Sequence, residues 1–276
     1  MGQVWLIGRP VAHSLSPAMH NAAFAKLGLP HRYEAREVAE KDLTATLDRM
    51  RRDDDVLGAN VTIPYKETVL RLVDEVDEEA RQIGAVNTIV CRAGRLIGEN
   101  TDRFGFHQGL ESAGILEISN QDVLVLGAGG AARACVLELR AGNDLLVANR
   151  SIERAQRLVD SISRPEEKGG GELRAIGWDE ARQLAWIDVL VNATPLGMHG
   201  EDALEGFAFD PLPAIIADLV PVAAETPLVR RAREAQHVRV MDGLLMLLHQ
   251  ATRSFELWTG LPAPLEEMRA ALPRAV

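Results

Sequence analysis

Cysteine is scarce in this chain of 276 residues, where it occurs only as Cys91 and Cys135. Both lie in apolar runs, NTIVCR and AARACVLEL, and neither has a partner at the spacing of a metal-binding or redox motif. This scarcity argues against a disulfide framework and a thiolate metal site, so we expect two buried thiols and no bound metal. A reducing cytoplasm is the compartment that suits such a chain.

Basic charge and long apolar runs are also lacking. The formal net charge is −10, which disfavours binding to nucleic acid or to an anionic membrane surface. No run approaches the roughly 20 apolar residues of a membrane span. The start, MGQVWLIGRP, has neither the basic residues nor the apolar core of a signal peptide. With 47% hydrophobic and 25% charged residues, the composition is that of a soluble globular protein.

Short apolar runs alternate with helical stretches along the chain, which is typical of an α/β protein with parallel sheets. We predict one hairpin, where residues 86–91 and 95–99 are joined by Arg92-Ala93-Gly94. The other predicted strands are 4–8, 31–38, 58–63, 123–127, 144–150, 173–177, 188–194, 214–220 and 238–242.

The strand–helix series restarts near residue 121, so we predict two lobes. The first is residues 1–102 plus 241–276, and the second is residues 103–240. The apolar helix 243–258 is expected to pack on the first lobe, and the charged, glycine-rich segment 164–172 is expected to form a surface loop.

The stretch HSLSPAMHN, residues 13–21, predicts the start of a helix. Ser16 is the expected N-cap, with Pro17 at the first helical position and Gly28 after the last turn. Ser14 has no part in this capping scheme. It raises the question of whether the helix end is only capped or also binds an anion.

The segment DVLVLGAGGAARACVLELR, residues 122–140, places a glycine-rich turn between a strand and a helix. Gly127, Gly129 and Ala132 have the G-x-G-x-x-A spacing of a dinucleotide-binding turn. Gly127 allows the tight turn, Gly129 lets the backbone approach a pyrophosphate, and Ala132 allows the helix to pack closely on the sheet. The alternative is an ordinary tight strand–helix turn.

The end of the next strand indicates which dinucleotide binds. NAD sites of this type place an acid there, on the ribose 2′-hydroxyl. This strand instead ends in Asn149, Arg150 and Ser151, with Arg154 one turn later. Arginine suits a 2′-phosphate by charge and by its fork geometry, which favours NADP.

Polar residues gather at three further strand ends, where α/β sheets place ligands. The clusters are Asn60-Val61-Thr62 with Lys66, Asn87-Thr88, and Asn100-Thr101-Asp102. Each also has an ordinary structural explanation: Thr62 as a turn residue, Lys66 as a solvated lysine, or Asp102 as a helix cap. Three such clusters in one lobe favour a binding site.

Eight motifs, taken in order, resemble those of the shikimate dehydrogenases over nearly the whole chain. They are GRPVAHSLSPAMHN, GANVTIPYKETV, AVNT, ENTD, GAGGAAR, NRS, NATPLGM and DGLLMLLHQA. The resemblance implies an N-terminal α/β substrate-binding domain and a Rossmann-type dinucleotide-binding domain. It also implies reversible reduction of 3-dehydroshikimate to shikimate with NADPH, a step towards aromatic amino acids.

The same resemblance implies roles for individual residues. Ser14 and Ser16 would hold the substrate carboxylate, Lys66 and Asp102 would form the catalytic pair, and the hydroxyl-binding residues would be Asn60, Thr62, Asn87 and Gln250. Lysine within hydrogen-bond reach can protonate the developing alkoxide, although the sequence leaves open which of the pair is the formal acid. Cofactor contacts would come from Gly127, Ala128, Gly129, Gly130, Ala131, Asn149, Arg150, Ser151, Arg154, Thr194, Leu219 and Gly243.

Two positions depart from the family pattern. The tyrosine expected after Asp218-Leu219-Val220 is replaced by Pro221, and Arg103 stands where relatives tend to have glycine. We expect Arg103 to point to solvent, and the retained Ser16 favours shikimate over quinate. The alternatives are a related dehydrogenase acting on quinate or another cyclic hydroxy-acid with NAD, and a non-catalytic nucleotide or ligand sensor. A monomer or homodimer is expected.

Overall fold

The computed structural model describes residues 1–162 and 171–273, which form two compact units. The first unit is Met1–Gly105 with the segment from Leu247, and the second is Phe106–Met246. The boundaries therefore fall inside two helices, whereas the sequence placed them a few residues earlier in each case. Most of the predicted surface loop 164–172 lies outside the described residues.

The first unit is an α/β fold on a mixed sheet. Its helices and strands are β1 Gln3–Gly8, α1 Ser16–Lys26, β2 Arg32–Glu37, a 3₁₀ turn Glu40–Asp42, α2 Leu43–Arg52, β3 Val56–Val61, α3 Lys66–Val69, β4 Glu75–Val76, α4 Glu78–Ile83, β5 Thr88–Arg92, β6 Arg95–Glu99, the start of α5 Asp102–Ser112, most of α10 Gly243–Thr259, and α11 Leu265–Ala270.

The six strands of this sheet run in the order β2-β1-β3-β5-β6-β4. β1 pairs in parallel with β2 and β3, but β5 is antiparallel to both β3 and β6. The predicted hairpin is confirmed, and its turn residues Ala93 and Gly94 both have positive φ, 50° and 72°, as a two-residue primed turn requires. The two-residue strand β4 was not predicted, because two residues carry no periodic signal.

Helix α10 packs on this sheet through the part that follows Leu247, as expected. The Trp258 indole donates a hydrogen bond to the Ile89 carbonyl at 2.9 Å, and the rings of Phe255 and Phe24 lie 5.2 Å apart. Gly58 permits this approach. A Cβ there would lie 2.2 Å from the Ile89 carbonyl oxygen and 2.4 Å from the Trp258 nitrogen.

The second unit is a Rossmann fold. After the end of α5 it contains β7 Asp122–Leu126, α6 Gly130–Leu139, β8 Asp144–Asn149, α7 Ile152–Ile162, β9 Leu173–Gly177, α8 Trp178–Arg182, β10 Val189–Asn192, β11 Ile215–Asp218, α9 Pro227–Glu234, β12 Arg239–Asp242 and the start of α10. Six parallel strands run in the order β12-β11-β10-β7-β8-β9, which is the doubly wound order of dinucleotide-binding domains.

Buried apolar side chains cover the central strands of this sheet, as a parallel sheet requires. Val123 and Val125 of β7 belong to one cluster, while Leu124 and Leu126 belong to another. Because side chains alternate between the faces of a strand, the two clusters form the cores on opposite faces.

Both cysteines are free thiols: Cys135 is buried and Cys91 is half-buried. Burial raises the pKa of the Cys91 thiol to about 12. Across residues 1–162 and 171–273, no helix is long and apolar enough to cross a membrane, and no group of three or more His, Cys, Asp or Glu side chains could hold a metal ion.

Candidate active site

The N-terminus of α1 differs by one residue from its predicted form. Leu15 occupies the N-cap position, and Ser16 is the first helical residue. The Ser14 hydroxyl accepts a hydrogen bond from the Ser16 backbone N–H at 3.3 Å. The prediction that the Ser16 side chain caps the helix is therefore wrong, since Ser16 is itself helical and the hydroxyl that bonds an N–H at the helix start belongs to Ser14. The predicted end is confirmed: the helix stops at Lys26, and Gly28 has φ of 63°.

The Ser16 side chain is buried and lies close to the Tyr33 hydroxyl. The Tyr33 hydroxyl donates to Asn60 Oδ1 at 2.8 Å. Burial raises the pKa of Tyr33 above its usual range, so the phenol stays protonated. Tyr33 thus bonds to Asn60 of β3, while its backbone is held by Asn21 of α1, and sequence reasoning had given it no role.

His20 lies under the Tyr33 ring. The two rings are stacked, 4.4 Å apart with planes 13° from parallel. Complete burial lowers the pKa of His20 to about 3, which keeps the imidazole neutral. His20 therefore packs here as an aromatic ring and brings no positive charge to the site.

Lys66 and Asp102 form an ion pair, with Nζ and Oδ2 2.6 Å apart. Lys66 begins α3 and Asp102 begins α5, so each helix start presents its side chain next to a sheet strand. The side chains are 17% and 5% exposed, so neither is a solvated surface charge. Asp102 does not cap its helix: its carboxylate binds Lys66 and Asn87, and its backbone N–H donates to Asn100 Oδ1 at 2.8 Å.

Asn87 holds the other oxygen of this carboxylate. Its Nδ2 donates to Asp102 Oδ1 and to Thr101 Oγ1, each at 2.9 Å. Its Oδ1 accepts from the Thr101 backbone N–H at 2.8 Å and from the Thr88 hydroxyl at 2.9 Å. The amide orientation of Asn87 is fixed by these four contacts.

Gln250 reaches the same cluster from α10. Its Oε1 lies 3.4 Å from both Asn87 Nδ2 and Thr101 Oγ1. Asn60 Nδ2 donates to the Asn87 carbonyl at 3.2 Å, which brings in β3. The first unit thus brings together Lys66, Asp102, Asn87, Gln250 and Asn60.

Thr62 directly follows β3 and is half-buried. The Thr62 carbonyl accepts a hydrogen bond from the Tyr65 backbone N–H at 3.0 Å. Thr62 is therefore a turn residue, which was one of the two explanations that the sequence left open. Arg103 is half-buried as well.

In the second unit, the glycine-rich turn has the geometry its spacing predicts. Gly127 has φ of 107°, and a Cβ there would lie 2.8 Å from the Ala193 carbonyl oxygen. Ala132 is fully buried against the sheet. A Cβ on Gly129 would meet no atom within 4 Å, so packing does not require a glycine at this position. The absence of a side chain leaves the start of α6 open.

The remaining residues of this turn fit a pyrophosphate. Gly129 is the N-cap of α6, and within the described chain no side chain caps this helix. Gly130 and Ala131 form its first turn, preceded by the buried Ala128. The first N–H groups of a helix and its dipole favour a bound anion at such an end.

The end of β8 carries the predicted basic residues. Arg150 and Arg154 are both exposed, and Asn149 Nδ2 donates to the Ser151 carbonyl at 3.0 Å. The Ser151 hydroxyl donates to Glu153 Oε2 at 2.7 Å, which lowers the pKa of that exposed carboxyl. Glu153 lies one turn beyond the strand end, so no acid occupies the position that NAD sites use.

A buried network supports the ends of β10 and β11. Thr194 Oγ1 donates to Asn192 Oδ1 at 2.6 Å, and Asn192 Nδ2 donates to Asp218 Oδ1 at 2.8 Å. Burial raises the pKa of Asp218 to about 6, against the opposing hydrogen bonds from Thr226 and Asn192. The Leu219 backbone N–H donates to the Asn192 carbonyl at 2.9 Å.

Gly243, which is expected at the cofactor, is required by the packing of the second unit itself, and so is Gly197. A Cβ on Gly243 would lie 2.5 Å from the Val220 carbonyl oxygen. Gly197 has φ of 109°, and its Cβ would lie 3.0 Å from Thr226 Cγ2.

No tyrosine follows Val220, where Pro221 stands. The chain has two tyrosines, and both are in the first unit with their hydroxyls engaged. Tyr33 donates to Asn60, and Tyr65 donates to the Val38 carbonyl at 2.7 Å.

Four residues of the first-unit network were missed as site residues. Thr88 and Thr101 lay within the polar clusters that the sequence had singled out, and Ser254 stands one helical turn after Gln250, a spacing that gave a usable signal. No sequence signal pointed to Tyr33, since its contact with Asn60 joins residues 27 apart in the chain.

Three family models match the chain in succession. Residues 6–89 match the shikimate dehydrogenase substrate binding domain, residues 111–195 match shikimate/quinate 5-dehydrogenase, and residues 243–272 match the shikimate 5'-dehydrogenase C-terminal domain. The three segments cover parts of both units, while the Asn100–Asp102 segment, Gly197 and the end of β11 lie outside them.

Full-length relatives agree with the family models. The shikimate dehydrogenase (NADP(+)) of Symbiobacterium thermophilum is 43% identical over 272 residues, covering 96% of this chain and 92% of the relative. The crystal structure of the Thermus thermophilus shikimate 5-dehydrogenase with NADP(H) and shikimate superposes with a TM-score of 0.83 at 38% identity, covering all of both chains.

A quinate dehydrogenase is also similar in structure. The Corynebacterium glutamicum enzyme, in complex with NAD, gives a TM-score of 0.86 at 33% identity and covers 98% of each chain. By the family models and by the extent of these similarities, the chain belongs to the shikimate dehydrogenase family.

Proposed function

We propose that the protein catalyses the reversible, NADP-dependent reduction of 3-dehydroshikimate to shikimate. The observation that carries this proposal is the Lys66–Asp102 pair, 2.6 Å apart, whose carboxylate is held by Asn87 among amide and hydroxyl side chains. The activity of the Symbiobacterium relative and the ligands of the Thermus structure support the same substrate and cofactor.

The reaction needs a proton donor beside the substrate carbonyl. When bound, NADPH supplies the hydride that reduces this ketone. Negative charge then develops on the ketone oxygen, and the Lys66 ammonium can stabilise and protonate it. In the reverse direction, neutral Lys66 accepts the proton of the alcohol. Asp102 orients Lys66 through their ion pair, so we assign Lys66 as the acid and base.

The rest of the first unit would hold the ring. Ser14 and Ser16 lie at the N-terminus of α1 (11 residues long), where hydroxyl and backbone donors suit a carboxylate. Hydroxyl groups of the ring would be bound by Asn60, Thr62, Asn87 and Gln250. The alcohol that reacts would lie against the Lys66–Asp102 pair, within hydrogen-bond reach of Lys66 Nζ.

The second unit would bind NADP. The open end of α6 at Gly129 suits the pyrophosphate, with Gly127, Ala128, Gly130 and Ala131 shaping the turn. The fork geometry of the Arg150 and Arg154 guanidiniums suits the 2′-phosphate, assisted by Asn149 and Ser151. Thr194, Leu219 and Gly243, at the ends of three neighbouring strands, would line the nicotinamide end.

A quinate or related dehydrogenase using NAD is the second candidate. Similarity to the Corynebacterium glutamicum enzyme favours it. Against it stand the two arginines and the missing acid after β8. A non-catalytic sensor would have no need for a buried lysine–aspartate pair. Two free cysteines fit a cytoplasmic protein, and a monomer or homodimer stays a prediction.

A steady-state matrix of shikimate and quinate against NADP and NAD tests the proposal. We expect the highest kcat/KM for shikimate with NADP, because the guanidiniums can pair with the 2′-phosphate. Turnover confined to quinate with NAD would establish the second candidate. Absence of turnover in all four combinations, with binding retained, would identify a sensor.

Replacing Lys66 with alanine should lower kcat by about two to four powers of ten, because the reaction loses its proton donor and acceptor. The matched control is Lys26→Ala, which removes another ion-paired lysine of the first unit, the partner of Glu267. Its kcat should stay near that of the wild type. Near-normal turnover of the Lys66 variant would remove this residue from the mechanism.

Replacing Ser14 with alanine should raise the KM for shikimate roughly tenfold or more and change kcat less, because a hydrogen bond to a carboxylate is lost. The melting temperature should also fall slightly with the lost capping bond. The control is Thr46→Ala in α2, which removes a hydroxyl that bonds the carbonyl of Asp42, the residue before this helix. An unchanged KM with a lowered melting temperature would show that Ser14 only caps the helix.

A further inference from the structure

We propose that Thr88, supported by Ser254, is a positioning residue that fixes the amides of Asn60 and Asn87 for the reaction. Neither hydroxyl has a role in the mechanism above. The proposal rests on the proposed function, because these two amides are assigned there to the substrate. Both residues are fully buried, so their hydroxyls act only on their neighbours.

Thr88 Oγ1 uses its full hydrogen-bonding capacity within this cluster. It accepts from Asn60 Nδ2 at 3.0 Å and donates to Asn87 Oδ1 at 2.9 Å. Its third contact is Ser254 Oγ at 2.8 Å. A hydroxyl has one donor and two acceptor sites. Since the Thr88 proton goes to the Asn87 carbonyl oxygen, the hydrogen bond with Ser254 must be donated by Ser254, whose single proton is shared with the Gln250 carbonyl.

This arrangement determines which way each amide faces. Asn60 must turn its NH₂ group towards Thr88, while its oxygen accepts from Tyr33. Asn87 must turn its oxygen towards Thr88, which directs its NH₂ group to Asp102 Oδ1. A flipped Asn87 amide would present an oxygen to the Asp102 carboxylate, and the hydrogen bond there would be lost.

Ser254 connects this cluster to α10. Besides Thr88, its Oγ lies 3.0 Å from Asn60 Nδ2 and 3.2 Å from Thr101 Oγ1. It is also 3.0 Å from the carbonyl of Gln250 on its own helix. One hydroxyl thereby links α10 to Asn60 of β3 and to Thr88, the first residue of β5.

Removing the Thr88 hydroxyl is costly because its partners Asn60 and Asn87 are buried. Asn60 and Asn87 are 5% and 2% exposed, so solvent does not readily replace a lost partner. An unsatisfied buried polar group costs about 1–3 kcal/mol, which corresponds to roughly 5- to 150-fold in an equilibrium. Asn87 Oδ1 retains the Thr101 N–H, so we expect an effect at the lower end.

The test compares Thr88→Val with Thr88→Ser in shikimate oxidation. Valine keeps the shape and removes the hydroxyl, whereas serine keeps the hydroxyl and removes a methyl. We expect kcat to fall about 5- to 20-fold in the valine variant, with a raised shikimate KM. The serine variant should stay within about twofold of the wild type. Thr252→Val is the control, since it removes a buried hydroxyl that bonds the His249 carbonyl of its own helix, α10.

The outcomes separate positioning from packing. If valine and serine variants are impaired equally, or if the valine variant matches the wild type, the proposal is overturned. Should Thr88→Val fail to fold, Ser254→Ala gives the same readout, with an expected loss of about threefold or more in kcat.

A measurement without substrate keeps this test independent of the proposed function. In ¹⁵N NMR spectra of the full chain, the Asn87 side-chain NH₂ signals should shift, and their hydrogens should exchange about fivefold faster in Thr88→Val than in Thr252→Val. Unchanged Asn87 signals would overturn the positioning role. A wild type that turns over no substrate would overturn the proposed function alone.

Discussion

The ion pair between Lys66 and Asp102 is the interaction on which the arrangement of the first unit depends. Taking two charges out of water is expensive, and their attraction compensates only if the remaining hydrogen-bonding sites are also satisfied. Asn87 satisfies the second carboxylate oxygen, and its own amide is held by Thr88 and Thr101. The buried polar network is thus the structural support that a buried charge pair requires.

The second unit meets a different constraint, which is space for a phosphate next to a tightly packed sheet. Gly127 and Ala132 are small because the backbone and core leave no room for more. Gly129 is different, since a Cβ there would meet nothing. The protein itself has room for a side chain at Gly129, so the glycine there is better explained by a ligand that binds close to the backbone.

Much of the fold could be predicted from local patterns, because apolar runs, glycines and turn residues act over a few positions. The hairpin at Ala93-Gly94, the parallel strands of the second unit and the end of α1 at Gly28 are confirmed. That Ser14 and not Ser16 bonds an N–H at the helix start could not be predicted, because it depends on a one-residue shift in where the helix begins. Local patterns could not show long-range partners: Asp102 could be a helix cap, and its pairing with Lys66, 36 positions away, was expected only from the family resemblance.

The central claim is that Lys66 and Asp102 act as one catalytic unit, and a double-mutant cycle on kcat tests it most directly. The cycle compares Lys66→Ala, Asp102→Ala and the double variant in shikimate oxidation with NADP. If the pair acts as a unit, the double variant should be within about threefold of the more impaired single variant. If the two losses multiply, the residues act independently, and the account is contradicted.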